Sequence, residues 1–301
     1  MNDPAARAIA AGNLTAVFLP ARGMLGASLR HRDAEILRRV EDLAASAEKG
    51  STAGIPFLHP WANRLAGLRY RAAGKKVTLD PASPRLHFDE HGLPMHGVPW
   101  SQLAWEVTEA RPDSLRARLE WARGDLLAVF PFRHRVELAV TLRPDGLTVE
   151  TTLVAGPDGP VPVSFGFHPY VGLPGLARRQ WRLTLPPMRR IALDGRGIPT
   201  GREEPFDGLD APLGERDLDE GFALMGDEAS FSVQGAGRRV SVGLLSGYRY
   251  AQVFAPKGGD YIALEPMTAP TSALTTGHGL HVVEPSREFR TAFRIGIEEF
   301  L

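Results

Sequence analysis

Through much of this chain apolar residues recur at every second position. Val136, Leu138, Val140 and Leu142 alternate with other residues, and Leu147, Val149, Thr151 and Leu153 repeat the pattern beyond Arg143-Pro144-Asp145-Gly146. A period of two is the signature of a strand with one buried face. The proline presets φ for a turn and the glycine tolerates positive φ, so Arg135–Val154 is predicted to form an antiparallel hairpin. Shorter runs with the same period occur at Leu115–Trp121, Ala128–Phe132, Arg182–Leu185, Ser230–Val233, Arg239–Leu244 and Tyr261–Leu264, and Thr291–Ile297 reads as a closing strand. Only Asp33–Ala47, with Ile36, Leu37, Val40 and Leu43 at helical spacing, suggests one short helix or else a loop. Asp194–Asp217 is rich in Gly, Pro and Asp and is predicted to be a long loop over the fold, a kind of segment that often serves function. Gly and Pro punctuate the whole chain, and no repeat, low-complexity tract or linker divides it. The expected architecture is all-β, one large antiparallel β-sandwich domain spanning residues 1–301.

Composition narrows the function classes. The 301 residues carry 35 Lys+Arg against 35 Asp+Glu, and a formal charge of zero argues against a nucleic-acid footprint or an anionic membrane surface. Without cysteine, disulfides, thiolate metal sites and cysteine nucleophiles are excluded. No apolar run approaches the roughly 18 residues of a membrane span, and Met1-Asn2-Asp3-Pro4 opens no secretory signal, so the cytoplasm is the expected location. A monomer and a homodimer are equally compatible with the pattern.

Two strand ends carry candidate chemistry. In Val161–Tyr170 the apolar Val161, Val163, Phe165 and Phe167 share one face, leaving Ser164, Gly166, His168 and Tyr170 on the other, with Pro169 marking the strand's end or edge. In Asp260–Pro266, Ile262 and Leu264 point inward while Tyr261, Ala263 and Glu265 point out. Either residue alone reads more readily as an ordinary surface group. Together, His168 and Glu265 suit an acid/base pair. Phe57-Leu58-His59-Pro60-Trp61-Ala62-Asn63-Arg64 and His91-Gly92-Leu93-Pro94-Met95-His96-Gly97-Val98-Pro99-Trp100 combine planar amide, guanidinium and ring groups of the kind that hold sugar hydroxyls and stack on sugar C–H faces. Core packing explains Trp61 and Trp100 as readily.

Five stretches in order resemble the aldose 1-epimerase (galactose mutarotase) family: Trp61-Ala62-Asn63-Arg64, Met95-His96-Gly97, Phe167-His168-Pro169-Tyr170, Leu218-Asp219-Glu220-Gly221-Phe222 and Leu264-Glu265-Pro266. The resemblance implies a galactose mutarotase-like supersandwich with the sugar in an open cleft and no metal or organic cofactor. It implies His168 as general acid and Glu265 as general base, with Arg64, His96 and Asp219 holding the sugar; Asn63 and Tyr170 join them as candidate substrate contacts. Phe167 where the family commonly has Asn, and His59-Pro60 where it often has Gly-Arg, resemble the shorter bacterial branch more than dedicated galactose mutarotases.

The chemistry fits that inventory. Interconverting anomers needs one proton removed from the C1 hydroxyl and one delivered to the ring oxygen, which a carboxylate near its normal pKa and a protonated imidazole would supply. A hexose 6-phosphate substrate would require a basic cluster at the cleft rim, for which Arg69, Arg71, Lys75 and Lys76, Arg178-Arg179 and Arg189-Arg190 are the candidates. A glycosidase would use Asp219 and Glu265 and leave the histidine without a role. A non-catalytic sugar-binding protein would not need both His168 and Glu265. His87, His91 and His96, or His278 and His281, lack metal-site patterning, so no metal is expected.

Overall fold

The computed structural model describes residues 5–40 and 53–300. Two large antiparallel sheets dominate it. The nine-stranded sheet runs, in spatial order, Leu209–Pro212, Arg182–Leu185, Ala229–Gly235, Arg238–Ser246, Glu288–Glu299, Gly146–Ala155, His134–Arg143, Ser114–Trp121 and Glu106–Arg111. The eight-stranded sheet runs Pro199–Phe206, Met188–Leu193, Leu218–Ala223, Tyr250–Ala255, Ile262–Met267, Gly166–Phe167 and Phe57–Leu58, with Tyr170–Val171 also pairing with Ile262–Met267. A four-stranded sheet, Arg7–Ala11 to Ala34–Glu35, joins them through bonds such as Ala10 N–H to Pro112 O at 2.7 Å.

The alternation in the sequence explains how the sheets meet. In the hairpin, Arg143 pairs with Gly146 and Leu138 with Thr151, and all eight alternating residues named above are buried. Gly146 has a steric reason to be glycine, since a Cβ there would lie 2.4 Å from Ile295 O in the neighbouring strand. Between the sheets, Phe167 packs on Phe293 with ring centroids 5.0 Å apart, and Phe222, Val253 and Leu264 of one sheet share a core with Leu138, Val149 and Ile295 of the other. Of the strands described, Glu288–Glu299 comes last in the chain, yet it sits between Gly146–Ala155 and Arg238–Ser246 near the middle of the larger sheet.

Three expectations need correction. Residues 33–40 are not helical: Ala34–Glu35 pairs with Arg30 and His31, and Leu37 bridges Val171, so Ile36 and Leu37 are buried from an extended chain. Positions 41–47 of that stretch lie outside the described residues. Within Ala128–Phe132 the chain leaves a helix, Gly124–Val129, whose Leu126 and Val129 are buried at helical spacing, with Phe130 capping its end in an extended conformation. Asp194–Asp217 is not one loop, because Pro199–Phe206 and Leu209–Pro212 are edge strands of the two sheets. An edge strand needs a neighbour on one side only, so it accepts the prolines that disguised it.

Candidate active site

The site forms on the outer face of the eight-stranded sheet. Ile262 and Leu264 belong to the core, which turns Ala263, Glu265 and Met267 outward, as the alternation predicts. Glu265 is nevertheless 1% exposed, and it lies within a strand paired on both sides, not at a strand end. Phe167, packed on Phe57 and Phe293, fixes the other half by turning its neighbour His168 away from the core. Gly166 permits the close approach of these strands, because a Cβ there would come within 2.3 Å of Met267 Sδ and 2.8 Å of Pro266 O.

His168 Nε2 lies 3.1 Å from Glu265 Oε1. The Tyr170 hydroxyl is 3.1 Å from the same nitrogen, and the Tyr170 ring stacks on the imidazole at 4.2 Å. Phe254 and His96 meet the His168 ring edge-on, with centroids 6.0 and 5.8 Å away. Burial holds the His168 pKa well below 6.5, and the neighbouring His96 and Arg38 add to the depression. Burial pushes Glu265 well above 4.5, with the Asp219 charge adding to the rise and Arg64 opposing it. Burial therefore works against the expected carboxylate of normal pKa and charged imidazole, since a closed site disfavours both charges. His168 Nδ1 and Glu265 Oε2 are buried without a partner in the protein.

His96 and Asn63 hold each other through the backbone. The His96 N–H donates to Asn63 O at 2.8 Å, and the Asn63 N–H donates to His96 Nδ1 at 3.2 Å. Both adopt the left-handed region, with φ of 57° and 53°, a strain that tends to collect at functional sites. Because Nδ1 accepts, neutral His96 carries its proton on Nε2 as a donor. Burial, helped by Arg64 and His87, lowers its pKa to about 3. Arg64 Nε donates to Asp89 Oδ2 at 2.6 Å. Asp219 is exposed and accepts from Gln252 Nε2 at 2.6 Å, while Gln252 pairs in register with both Gly221 and Glu265.

The structure thus brings His168, Glu265, Tyr170, His96 and Asn63 into one connected group, with Arg64 and Asp219 acting electrostatically on Glu265. Sequence reading missed Gln252, Asp89 and Phe254. Gln252 had a signal, as the polar interruption between Ala251 and Val253, whereas Asp89 and Phe254 had none that separated them from turn and core residues. Of the basic candidates, Arg189 pairs with Glu203 at 2.8 Å, Arg190 with Glu220 at 3.1 Å, Lys75 donates to Pro131 O at 2.6 Å, and buried Arg178 donates to the carbonyls of Gly214, Arg216 and Ala255. Among the described residues, no cluster of His, Asp and Glu side chains would hold a metal ion, and no helix is long and apolar enough to cross a membrane.

The family model for aldose 1-epimerase matches residues 12–295. The chain belongs to the aldose 1-epimerase family. This is an isomerase family, and the fold agrees with it. A galactose mutarotase-like protein from Clostridium acetobutylicum superposes with a TM-score of 0.84 at 18% identity, covering 98% of this chain and 95% of that one. The GalM/aldose epimerase homologue from C. elegans gives a TM-score of 0.80 at 18% identity, covering 98% and 99%. In sequence, the uncharacterized protein YihR of Escherichia coli (strain K12) is 25% identical over 249 residues, or 79% of this chain and 77% of that protein. The structural likenesses establish the fold.

Proposed function

We propose that this aldose 1-epimerase family member interconverts the α and β anomers of an unphosphorylated aldose, with Glu265 as the base and His168 as the acid. The observation that carries this reading is the buried 3.1 Å contact between them, each group keeping one polar atom without a protein partner. A buried polar atom left unmade costs about 1–3 kcal/mol, so a ligand that satisfies both atoms recovers that cost on binding. One core cluster, drawing on residues from Ile9 to Ile297, supports treating the chain as a single domain.

The proton count follows from burial, which disfavours both charges. The pair shares one titratable proton: the neutral acid beside neutral imidazole and the carboxylate beside imidazolium are tautomers with the same total. In ring opening, carboxylate Glu265 takes the C1 hydroxyl proton while imidazolium His168 gives its proton to the ring oxygen. The C1–O5 bond breaks, its electron pair stays on O5, and C1 becomes an aldehyde. The pair is then left as acid and neutral imidazole, the distribution that burial favours. After rotation about C1–C2, Glu265 protonates the carbonyl oxygen and His168 takes back the hydroxyl proton as the ring closes on the other face. Each positioned transfer is worth about 10²- to 10⁴-fold. Arg64, His96, Asn63 and Asp219 hold the sugar's hydroxyls, and Tyr170 supports the imidazole face.

Arg178, Arg189 and Arg190 are occupied within the protein, which counts against those three as a cradle for a hexose 6-phosphate. A non-catalytic sugar-binding protein has no use for a buried pair of titratable groups. The test follows anomer interconversion in fresh α-glucose, α-galactose and glucose 6-phosphate by polarimetry or NMR, with wild type and Glu265→Gln. Acceleration that the variant loses supports the reading. Equal turnover by the variant removes Glu265 from the chemistry, and no acceleration with any sugar by folded protein removes the activity itself.

A further inference from the structure

We propose that Asp89 is a positioning residue that fixes the Arg64 guanidinium for the sugar, an inference that rests on the placement of Arg64 in the site just described. The two oxygens of the Asp89 carboxylate do separate jobs. Oδ1 accepts the N–H groups of His91 at 2.9 Å and Leu93 at 2.8 Å, closing the turn over residues 89–93. Oδ2 accepts only from outside that turn, from Arg64 Nε at 2.6 Å. The Asp89 side chain is fully buried and that of Arg64 is 12% exposed, so the ion pair is shielded from water. A contact through Nε leaves both terminal nitrogens of the fork to point elsewhere, and the planar group cannot turn without breaking it.

A second turn closes on the same guanidinium from another part of the chain. Asp194 Oδ1 accepts from Arg196 N–H at 2.8 Å and Ile198 N–H at 3.0 Å, and this turn carries Gly197. A Cβ on Gly197 would lie 3.2 Å from an Arg64 terminal nitrogen and 3.4 Å from Cζ, so the absence of a side chain there makes room for the guanidinium. The backbone of Arg64 is also tied down, its carbonyl accepting from the Ser272 N–H at 2.9 Å, seven residues beyond Glu265. Arg64 therefore sits between two aspartate-closed turns, and of the two aspartates it is Asp89 that pairs with its charge.

The asymmetry of the carboxylate supplies the test. In Asp89→Asn one oxygen remains to close the turn, and an amide N–H₂ faces Arg64 where an acceptor stood. Wild type, Asp89→Asn, Arg64→Met and the double variant are compared by mutarotation kinetics on glucose and galactose, with melting curves for each. Asp89→Asn is expected to lower kcat/KM about 10- to 100-fold, chiefly through KM, because no hydrogen-bond contact of the proton-transferring pair is altered. In the Arg64→Met background the same change is expected to have no further effect. An equal loss in both backgrounds overturns the proposal, since Asp89 would then act without Arg64. Arg64→Met with wild-type kinetics overturns it too, while leaving the role of Glu265 and His168 standing. A wild type that accelerates no sugar takes down both readings. Should Asp89→Asn fold poorly, Asp89→Ser keeps a turn-closing acceptor too short to reach Arg64 and is read in the same cycle.

Discussion

Replacing Glu265 by Gln should change how stability depends on pH, in a direction fixed by the buried pair. In the unfolded chain the carboxyl titrates near 4.5 and the imidazole near 6.5. Folding raises the first and lowers the second, so the native pair favours holding one proton between them. Below pH 4.5 the unfolded chain binds two protons against one, and stability rises with pH. Between 4.5 and 6.5 the counts are equal and this contribution is flat. Above 6.5 the unfolded chain binds none, so stability falls by about 1.4 kcal/mol per pH unit until the pair releases its proton. In Glu265→Gln only the depressed His168 remains, and its contribution is constant above 6.5. Urea unfolding at pH 6.5 and 8.5 measures both slopes, and His59, His134 and the surface groups cancel because both proteins carry them. In this window the variant should gain on wild type as pH rises, by no more than the wild-type slope of about 1.4 kcal/mol per pH unit. Parallel slopes in the two proteins would refute the shared-proton account.

Other consequences are simpler to check. His168→Asn should lower kcat by about 10²- to 10⁴-fold with little change in KM, measured by polarimetry. The kcat/KM profile of the wild type should be bell-shaped, its acid limb below the 6.5 of a free imidazole because His168 is depressed. Leu138→Ala, at the buried centre of the hairpin, should cost about 2–5 kcal/mol in chemical denaturation. Gly146→Ala should destabilise the chain more than a surface Gly→Ala change, since its Cβ would meet Ile295 O at 2.4 Å.

Period-two alternation served wherever a strand has one core face, as at Val136–Leu142 and Ile262–Leu264, and it identified the side from which Glu265 projects. It failed where burial comes from both sides. Glu265 and His168 look exposed from alternation, but the outer face of their sheet is covered, in part by the Trp61–Leu65 segment that meets Ser164 and Pro94. No local pattern announces such a cover, so the reversal of their charge preferences was invisible. Edge strands such as Pro199–Phe206 escaped because their prolines and glycines are tolerated by the missing neighbour. The partners Asp89 and Gln252 depend on contacts 25 and 33 residues away in the chain, which one sequence does not encode locally.

The position of Glu288–Glu299 has a consequence for biosynthesis. The strand that divides the larger sheet is the last of those described to leave the ribosome, and Gly146–Ala155 and Arg238–Ser246 each wait for it as a neighbour. Until it arrives, two facing rows of unpaired backbone and the half-core around Phe167 and Tyr248 stay open to other chains. A ribosome stalled even a few codons before Glu288 would hold every residue of the candidate site and still lack the wall against which Phe167 is braced. Truncated or slowly translated product is therefore where aggregation of this protein should concentrate, and where a chaperone that shields sheet edges would have its greatest effect.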